Sequence, residues 1–386
     1  MKDLDLFFQP VESFDLLNET CLGHQIIAYA EEDFPVLKKN GVAIFYVPEY
    51  RNGELNHNGK SDTRFRTRFY NLFEGLGWKF PIYDLGTLIP GESIQDTYFA
   101  LANVVSELVK NDIVPIVVGG SADLTFGLYK GYEKLEQLIN ICSIDSHLNI
   151  GAENVQLKYN SYVGHLLMQR PCYLFNFSNI GCQAPFVGKN ELELFEKLYF
   201  DVCRLGEFNG DKKKAEPHLR NTDILSVNLN SIRNSDYPSS VQHNPNGFYA
   251  EQVCQLAKYG GVSDKLTSFG IFGMVPEADS DAAHDLIAQI IWYFIDGFHQ
   301  RKGDFPVGSK KEYLRFVVHM DEFEEEQIIF HKSNKSERWW MEVPYPPQNG
   351  QKYIRHHMVP CEPDDYEKAM KSEIPDLWWK TYQKLG

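Results

Sequence analysis

The chain lacks any apolar run long enough to cross a bilayer. Its longest, residues 286–295 (LIAQIIWYFI), stops well short of the ~20 residues a membrane helix needs and is interrupted by Gln289. The N-terminus, MKDLDLFFQP, has acidic residues in its first turn and no apolar core, so no secretory signal is expected. Cysteine is sparse: the seven, at 21, 142, 172, 182, 203, 254 and 361, form no CxxC and no paired spacing. That excludes the usual zinc-ribbon and disulfide frameworks. Several sit in apolar runs, as reduced buried thiols do, and the expectation is a cytoplasmic protein. Positive charge is also short. Lys and Arg number 38 against 53 Asp and Glu, a formal net charge of -15. This argues against grip on nucleic-acid phosphates and against docking on an anionic membrane. Gly119-Gly120 lacks the lysine of a phosphate-binding loop and reads as a tight turn. There are no internal repeats and no low-complexity tract.

What is present is a chain of 386 residues, 43% hydrophobic, enough for one large α/β domain or for one domain plus an addition. The spacing predicts strands at 41–47, 80–85, 113–118, 141–145, 173–180, 224–230 and 266–272. Helices are predicted at 23–32, 95–111, 124–138, 163–170, 191–205, 249–259 and 281–298. A short basic helix carries Arg64, Arg66 and Arg68, read as exposed charges, with an anion or partner contact as the alternative. Residues 210–216 (GDKKKAE) read as an exposed, solvated loop. Strand and helix alternate from 41 to 298, which predicts βαβ units and a mostly parallel sheet. The expected division is 1–300 for the main domain and 301–386 for an extension. The extension has strands at 313–319, 327–331 and 338–343, an acidic run at 321–326, a Pro-rich turn and a terminal helix. It holds Trp339, Trp340, Trp378 and Trp379, four of the six Trp. These four either pack on the body of the chain or present a partner surface.

Three strand ends collect polar residues. One apolar strand runs into Gly119-Gly120-Ser121-Ala122-Asp123. A second ends in Asp145-Ser146-His147-Leu148-Asn149, and a third in Asn228-Leu229-Asn230. In an open parallel sheet, ligands gather at the carboxyl ends of strands, so these ends are the candidate site.

These blocks resemble the ureohydrolase superfamily of arginase, agmatinase and formimidoylglutamase, in the formimidoylglutamase-like branch. IVPIVVGGSADLT is similar to the family's Gly-Gly-Asp-His-Ser block, CSIDSHLNI to its Asp-Ala-His-x-Asp block, and LSVNLNSI to its Ser-x-Asp-x-Asp block. DLGTLIPGESIQDTYFALANVV, NPNGFYAEQ and SFGIFGMVPEADSDAAHDLIAQII follow the family order around them. The resemblance implies a three-layer α/β/α arginase-like fold and an oligomer. It also implies a centre where six side chains hold two manganese ions and a bridging hydroxide. The six positions are here Ala122, Asp145, His147, Asn149, Asn228 and Asn230. Only Asp145 and His147 keep the family's ligand types. The substrate-binding Glu of the late strand is Gly273, and the nearest counterpart of the mobile histidine is His165, at a different spacing.

Manganese prefers carboxylate, imidazole and water, and two adjacent dications need anionic bridges. The expectation is therefore a degenerate centre with no catalytic residue and no cofactor, or manganese if any metal. Asp145 and His147 read as hydrogen-bonding groups at the strand ends. A single metal held with Asp123 or His243 is the alternative. The three Asn residues read as a satisfied polar network, with a pocket for a neutral ligand as the alternative. The expected function is a pseudoenzyme binding a protein partner or another copy. The competing expectations are an active C–N hydrolase of a linear guanidino or formimino substrate, with a rebuilt one-metal or metal-free site, and a small-ligand sensor in the old pocket.

Overall fold

Two short strands, Phe8–Gln9 (β1) and Ile26–Ala28 (β2), precede a series of strands that are buried over most of their length. These are Gly41–Tyr46 (β3), Ile82–Leu88 (β4), Ile113–Val118 (β5), Ile139–Ile144 (β6), Leu174–Ile180 (β7), Asp201–Cys203 (β8), Ile224–Asn228 (β9) and Ser268–Phe272 (β10). The computed structural model describes the whole chain except residues 1–3, 13–15, 18, 32, 55–62, 153–154, 276–279, 307–310, 321–326 and 347–349. Between the strands run Arg64–Tyr70 (α1), Ile94–Lys110 (α2), Leu124–Glu133 (α3), Tyr162–Leu167 (α4), Lys189–Lys197 (α5), Leu205–Gly210 (α6), Glu216–Arg220 (α7), Ala250–Val262 (α8) and Asp281–His299 (α9).

The strands form one sheet in the order β1-β4-β3-β5-β10-β9-β6-β7-β8, with β2 also on β4; only β1 is antiparallel. Alternate residues of a strand point to opposite faces, and here both faces are covered. Val42, Ile44 and Tyr46 pack in one core with Ile290, Ile291 and Phe294 of α9. Ala43 and Phe45 pack in the other with Leu101, Val105 and Leu108 of α2. The result is a three-layer α/β/α arrangement. α2 starts where the sequence allows: Ser93 accepts from the Asp96 amide while Asp96 accepts from the Ser93 amide, a reciprocal cap that stabilises a helix by about 1 kcal/mol.

The order of the strands sets the site. After β5 the chain skips to β6, β7 and β8 at the far edge. It then returns through β9 and β10 to fill the gap. The carboxyl ends of β5, β10, β9 and β6 therefore lie side by side.

Several expectations are corrected. The described residues of the predicted 23–32 helix are not helical: a single turn at Leu22–His24 leads into β2, because β-branched Ile26 and Ile27 pair with Ile82 and Tyr83 of β4. The helix predicted over 191–205 ends at Lys197. Tyr199 takes φ 55°, and the chain reverses into β8, which pairs with Ser178–Ile180. The 210–216 stretch is a turn running into α7, with Pro217 in the first turn of the helix. Arg66 is not an exposed charge. It is 2% exposed, and its Nε donates to Asp84 at 2.8 Å while Tyr70 donates to the same carboxylate. Arg64 and Arg68 do lie at the surface, paired with Asp281. The predicted acidic run 321–326, part of the Pro-rich turn and the proline after β10 lie outside the described residues.

The last part of the chain builds its own antiparallel sheet from Tyr313–His319 (β11), Gln327–Ser333 (β12), Trp339–Glu342 (β13) and Met358–Cys361 (β14). The fourth strand, which carries Pro360, was not predicted. Short helix Gly350–Tyr353 (α10) precedes it, and Pro363–Ala369 (α11) and Asp376–Leu385 (α12) follow it. A third core, with Phe330, Met341, Val359 and Leu385, holds this sheet to α11 and α12.

This unit docks at the amino ends of the main strands. Arg220 donates to the carbonyl oxygens of Trp339 (3.1 Å) and Cys361 (2.9 Å), with its guanidinium over the Trp340 ring. Arg355 donates to Asp223, just before β9, and Lys380 to Asp201, the first residue of β8. The four Trp do not form one surface. Trp340 and Trp378 are buried (1% and 5% exposed), Trp339 stacks on Phe316, and only Trp379 of the four is open, at 47%. Burial wins because these rings fill the third core and the seam with α7. Among the described residues no helix is long and apolar enough to cross a membrane.

Candidate ligand site at the strand ends

The sheet register brings the predicted residues together. Ile144 of β6 pairs with Val227 of β9, and Phe272 of β10 pairs with Asn228. Asp145, Asn228 and Gly273 thus follow one another across three adjacent strand ends. Asp145 is 1% exposed. Its Oδ2 accepts from Asn228 Nδ2 at 2.7 Å and from Asn149 Nδ2 at 2.8 Å, and its Oδ1 accepts from the His147 amide at 3.0 Å. A carboxylate only accepts, so both amides must present their nitrogen to it. Asn149 takes φ 54°, a conformation asparagine tolerates better than most residues. Asn228 Oδ1 then accepts from the Asn230 amide (3.1 Å), and Asn230 Oδ1 accepts from Ser240 Oγ (2.9 Å).

Burial raises the Asp145 pKa above the ordinary carboxylate value, and the bonds from Asn228, His147 and Asn149 pull it back only in part. His147 points outward. Its ring stacks on Phe186 at 4.9 Å between centroids, its Nδ1 meets Ser146 Oγ at 2.9 Å, and the nearest Asp145 oxygen is 3.9 Å away.

The other candidates do not converge here. Asp123 is fully buried but turns toward α2, accepting from the hydroxyls of Tyr98 and Ser121. Burial pushes its pKa up to about 6. His243 is exposed and meets Asn234 at 3.3 Å, and His165 meets the Val155 carbonyl oxygen at 3.0 Å. Ala122 presents a methyl group. Gly273 takes φ 87°, and a Cβ there would stand 2.7 Å from Asn228 Oδ1. Glycine at 273 and asparagine at 228 are therefore sterically matched. Ser240 and Phe186 escaped the sequence reading. Nothing local marks them, because each reaches the site from a loop that only the fold brings near.

The family's pair of manganese ions can be tested against these six positions. Asp145 and His147 offer ligand groups. Asn149 and Asn228 offer neutral amides whose nitrogens are committed to Asp145, Asn230 offers a neutral amide whose oxygen is held by Ser240, and Ala122 offers nothing. Among the described residues no group of three or more His, Cys, Asp or Glu is placed to hold a metal. The donor set does not fit two adjacent divalent cations, which need anionic bridges.

Comparison with known proteins agrees with the geometry of the fold. The Arginase family profile matches residues 61–296. A formimidoylglutamase of Streptococcus gordonii is 22% identical over 254 residues, 59% of this chain and 74% of the relative. Among solved structures, the formimidoylglutamase of Bacillus subtilis superposes with a TM-score of 0.64 at 15% identity, covering 75% of this chain and 95% of that one. The Trypanosoma cruzi formiminoglutamase with Mn2+ superposes with a TM-score of 0.60 at 16% identity, covering 67% and 94%. The chain belongs to the arginase family.

Proposed function

We propose that this chain is a formimidoylglutamase-like protein that works by binding rather than by hydrolysis, and that its strand-end centre does not load two manganese ions. The observation that carries this reading is the pair of amide donors on Asp145 Oδ2. A carboxylate oxygen that ligates a cation turns its lone pairs to the metal, whereas this one turns them to two N–H groups. A metal would have to displace hydrogen bonds to a charged acceptor worth roughly 1.5–3 kcal/mol each, and beyond Asp145 and His147 it would gain only neutral amide carbonyls. What the chain binds is a protein partner, another copy of itself or a small ligand in the old pocket. Its free cysteines suit the cytoplasm.

A second reading has its own support. The relatives named above are formimidoylglutamases, and one of them carries manganese. This favours an active C–N hydrolase of a formimino or guanidino substrate, acting through a one-metal or metal-free site built on Asp145 and His147.

One experiment separates the two. The purified chain is incubated with excess Mn2+ and desalted, and its metal content is measured. Release of formamide, urea or ammonia from formiminoglutamate, arginine and agmatine is then assayed on the same sample. Neither retained metal nor turnover is the expected result. Turnover above the rate without protein, abolished by Asp145→Asn, overturns the binding reading in favour of the second.

A further inference from the structure

We propose that the cavity at the ends of β5, β9 and β10 binds a small neutral carboxamide or urea group, read by Asn228 and Asn230 together. This rests on the reading above, that no metal pair fills the centre.

The cavity measures about 40 Å³ and is lined by Tyr50, Ser121, Ala122, Asn228, Asn230 and Gly273, among others. At roughly 10–15 Å³ per water, that is space for about three waters or one small planar group. Asn230 is 6% exposed. Ser240 holds its Oδ1, which fixes the orientation of the amide and sends Nδ2 the other way. Nδ2 has no hydrogen-bond partner among the described residues, and Asn230 lines the cavity. Beside it, Asn228 Oδ1 accepts one bond, from the Asn230 amide, and keeps a second lone pair. A Cβ at Gly273 would meet Asn228 Oδ1 at 2.7 Å and Asn230 Nδ2 at 3.6 Å. The missing side chain of Gly273 therefore uncovers one donor and one acceptor at the same spot.

An adjacent donor and acceptor match the two ends of a carboxamide. Its carbonyl oxygen accepts from Asn230 Nδ2, and its N–H donates to Asn228 Oδ1. The turn through Gly120–Ala122 lines the same cavity and leads into α3, whose N-terminal end favours the carbonyl oxygen. Charged ligands fit worse. A carboxylate brings no donor for Asn228 and adds an anion beside the residue that is bonded to buried Asp145. A guanidinium or ammonium brings no acceptor for Asn230. Sites built to hydrogen-bond a polar group discriminate strongly against analogues that lack it. In the family's pattern position 230 is a carboxylate that faces a cation; here the same position offers a donor.

The test is saturation-transfer NMR on the full chain with acetamide, acetate and guanidinium as probes, on metal-stripped protein, with Mn2+ content measured on a loaded aliquot of the same preparation. Wild type is expected to give an acetamide signal that saturates, with none from acetate or guanidinium. Asn230→Asp, which replaces the donor by an acceptor, should weaken acetamide at least tenfold, as should Ala122→Val, which fills the cavity. Thermal melts establish that each variant is folded, and where Asn230→Asp is not, Ala122→Val decides. No acetamide signal from folded wild type, or one undiminished in the folded variants, overturns this inference. If the loaded aliquot carries no metal, the proposed function survives that failure. Two manganese ions per chain overturn the proposed function, and this inference with it.

Discussion

Asn228 donates its side-chain amide to Asp145 across 2.7 Å, from one parallel strand end to the next. The bond, with that from Asn149, satisfies one oxygen of a buried acid. Asn228→Asp puts a second carboxylate against the first, and one of the two must then hold a proton. We expect the variant to lose about 3 kcal/mol at pH 8 and less at pH 5, because the pair folds best when protonated. Denaturant unfolding at the two pH values checks this. Equal losses at both would show that the two side chains do not interact.

Asp123 provides a pH signature. Burial raises its pKa to about 6, above an ordinary carboxylate near 4. The folded state then binds the proton more tightly than the unfolded chain. Its stabilising contribution is complete below about pH 4 and is lost as pH rises through about 6, a difference of about 3 kcal/mol. Asp123→Asn should flatten the wild-type fall in stability across pH 4–6, as read by unfolding at half-unit intervals.

The three arginines of α1 should separate sharply. Arg66→Ala leaves Asp84 buried and unpaired, and should cost about 3–5 kcal/mol. Arg64→Ala and Arg68→Ala remove exposed pairs with Asp281 and should cost at most about 1 kcal/mol each. Melting temperatures of the three variants give the comparison. Similar small losses in all three would mean that Arg66 is solvated after all.

Arg220→Ala should loosen the last sheet while sparing the main one. It strips the donors from the Trp339 and Cys361 carbonyl oxygens and the cation from the Trp340 ring, about 3 kcal/mol together. Hydrogen exchange should speed up in β13 and β14 with β5 and β9 unchanged. Uniform change across both sheets would place Arg220 in the global core instead.

Most of the fold was legible because its signals are local. An apolar run such as IVPIVV between helical patterns reads as a doubly buried strand, and the alternation of such runs fixes a parallel sheet. The family resemblance rests on ordered blocks, and the family profile matches residues 61–296 across them. Some elements stayed hidden because their stability comes from distant partners. β2 and β8 are three-residue strands that exist by pairing with β4 and β7. β14 carries a proline yet closes the last sheet.

The site divides along the same line. The sequence by itself determined which groups stand at the strand ends, and so which of them carry charge there. Only the tertiary structure decided what those groups do. It turned Asp123 away to Tyr98, brought Ser240 from a loop to orient Asn230, and left Gly273 open beside both amides. It also carried the Trp-rich sheet to the amino ends of the strands, across the sheet from the site. Residue identity fixes charge and hydrogen-bonding capacity, but the partner that satisfies them depends on strand order, which no local stretch of sequence encodes.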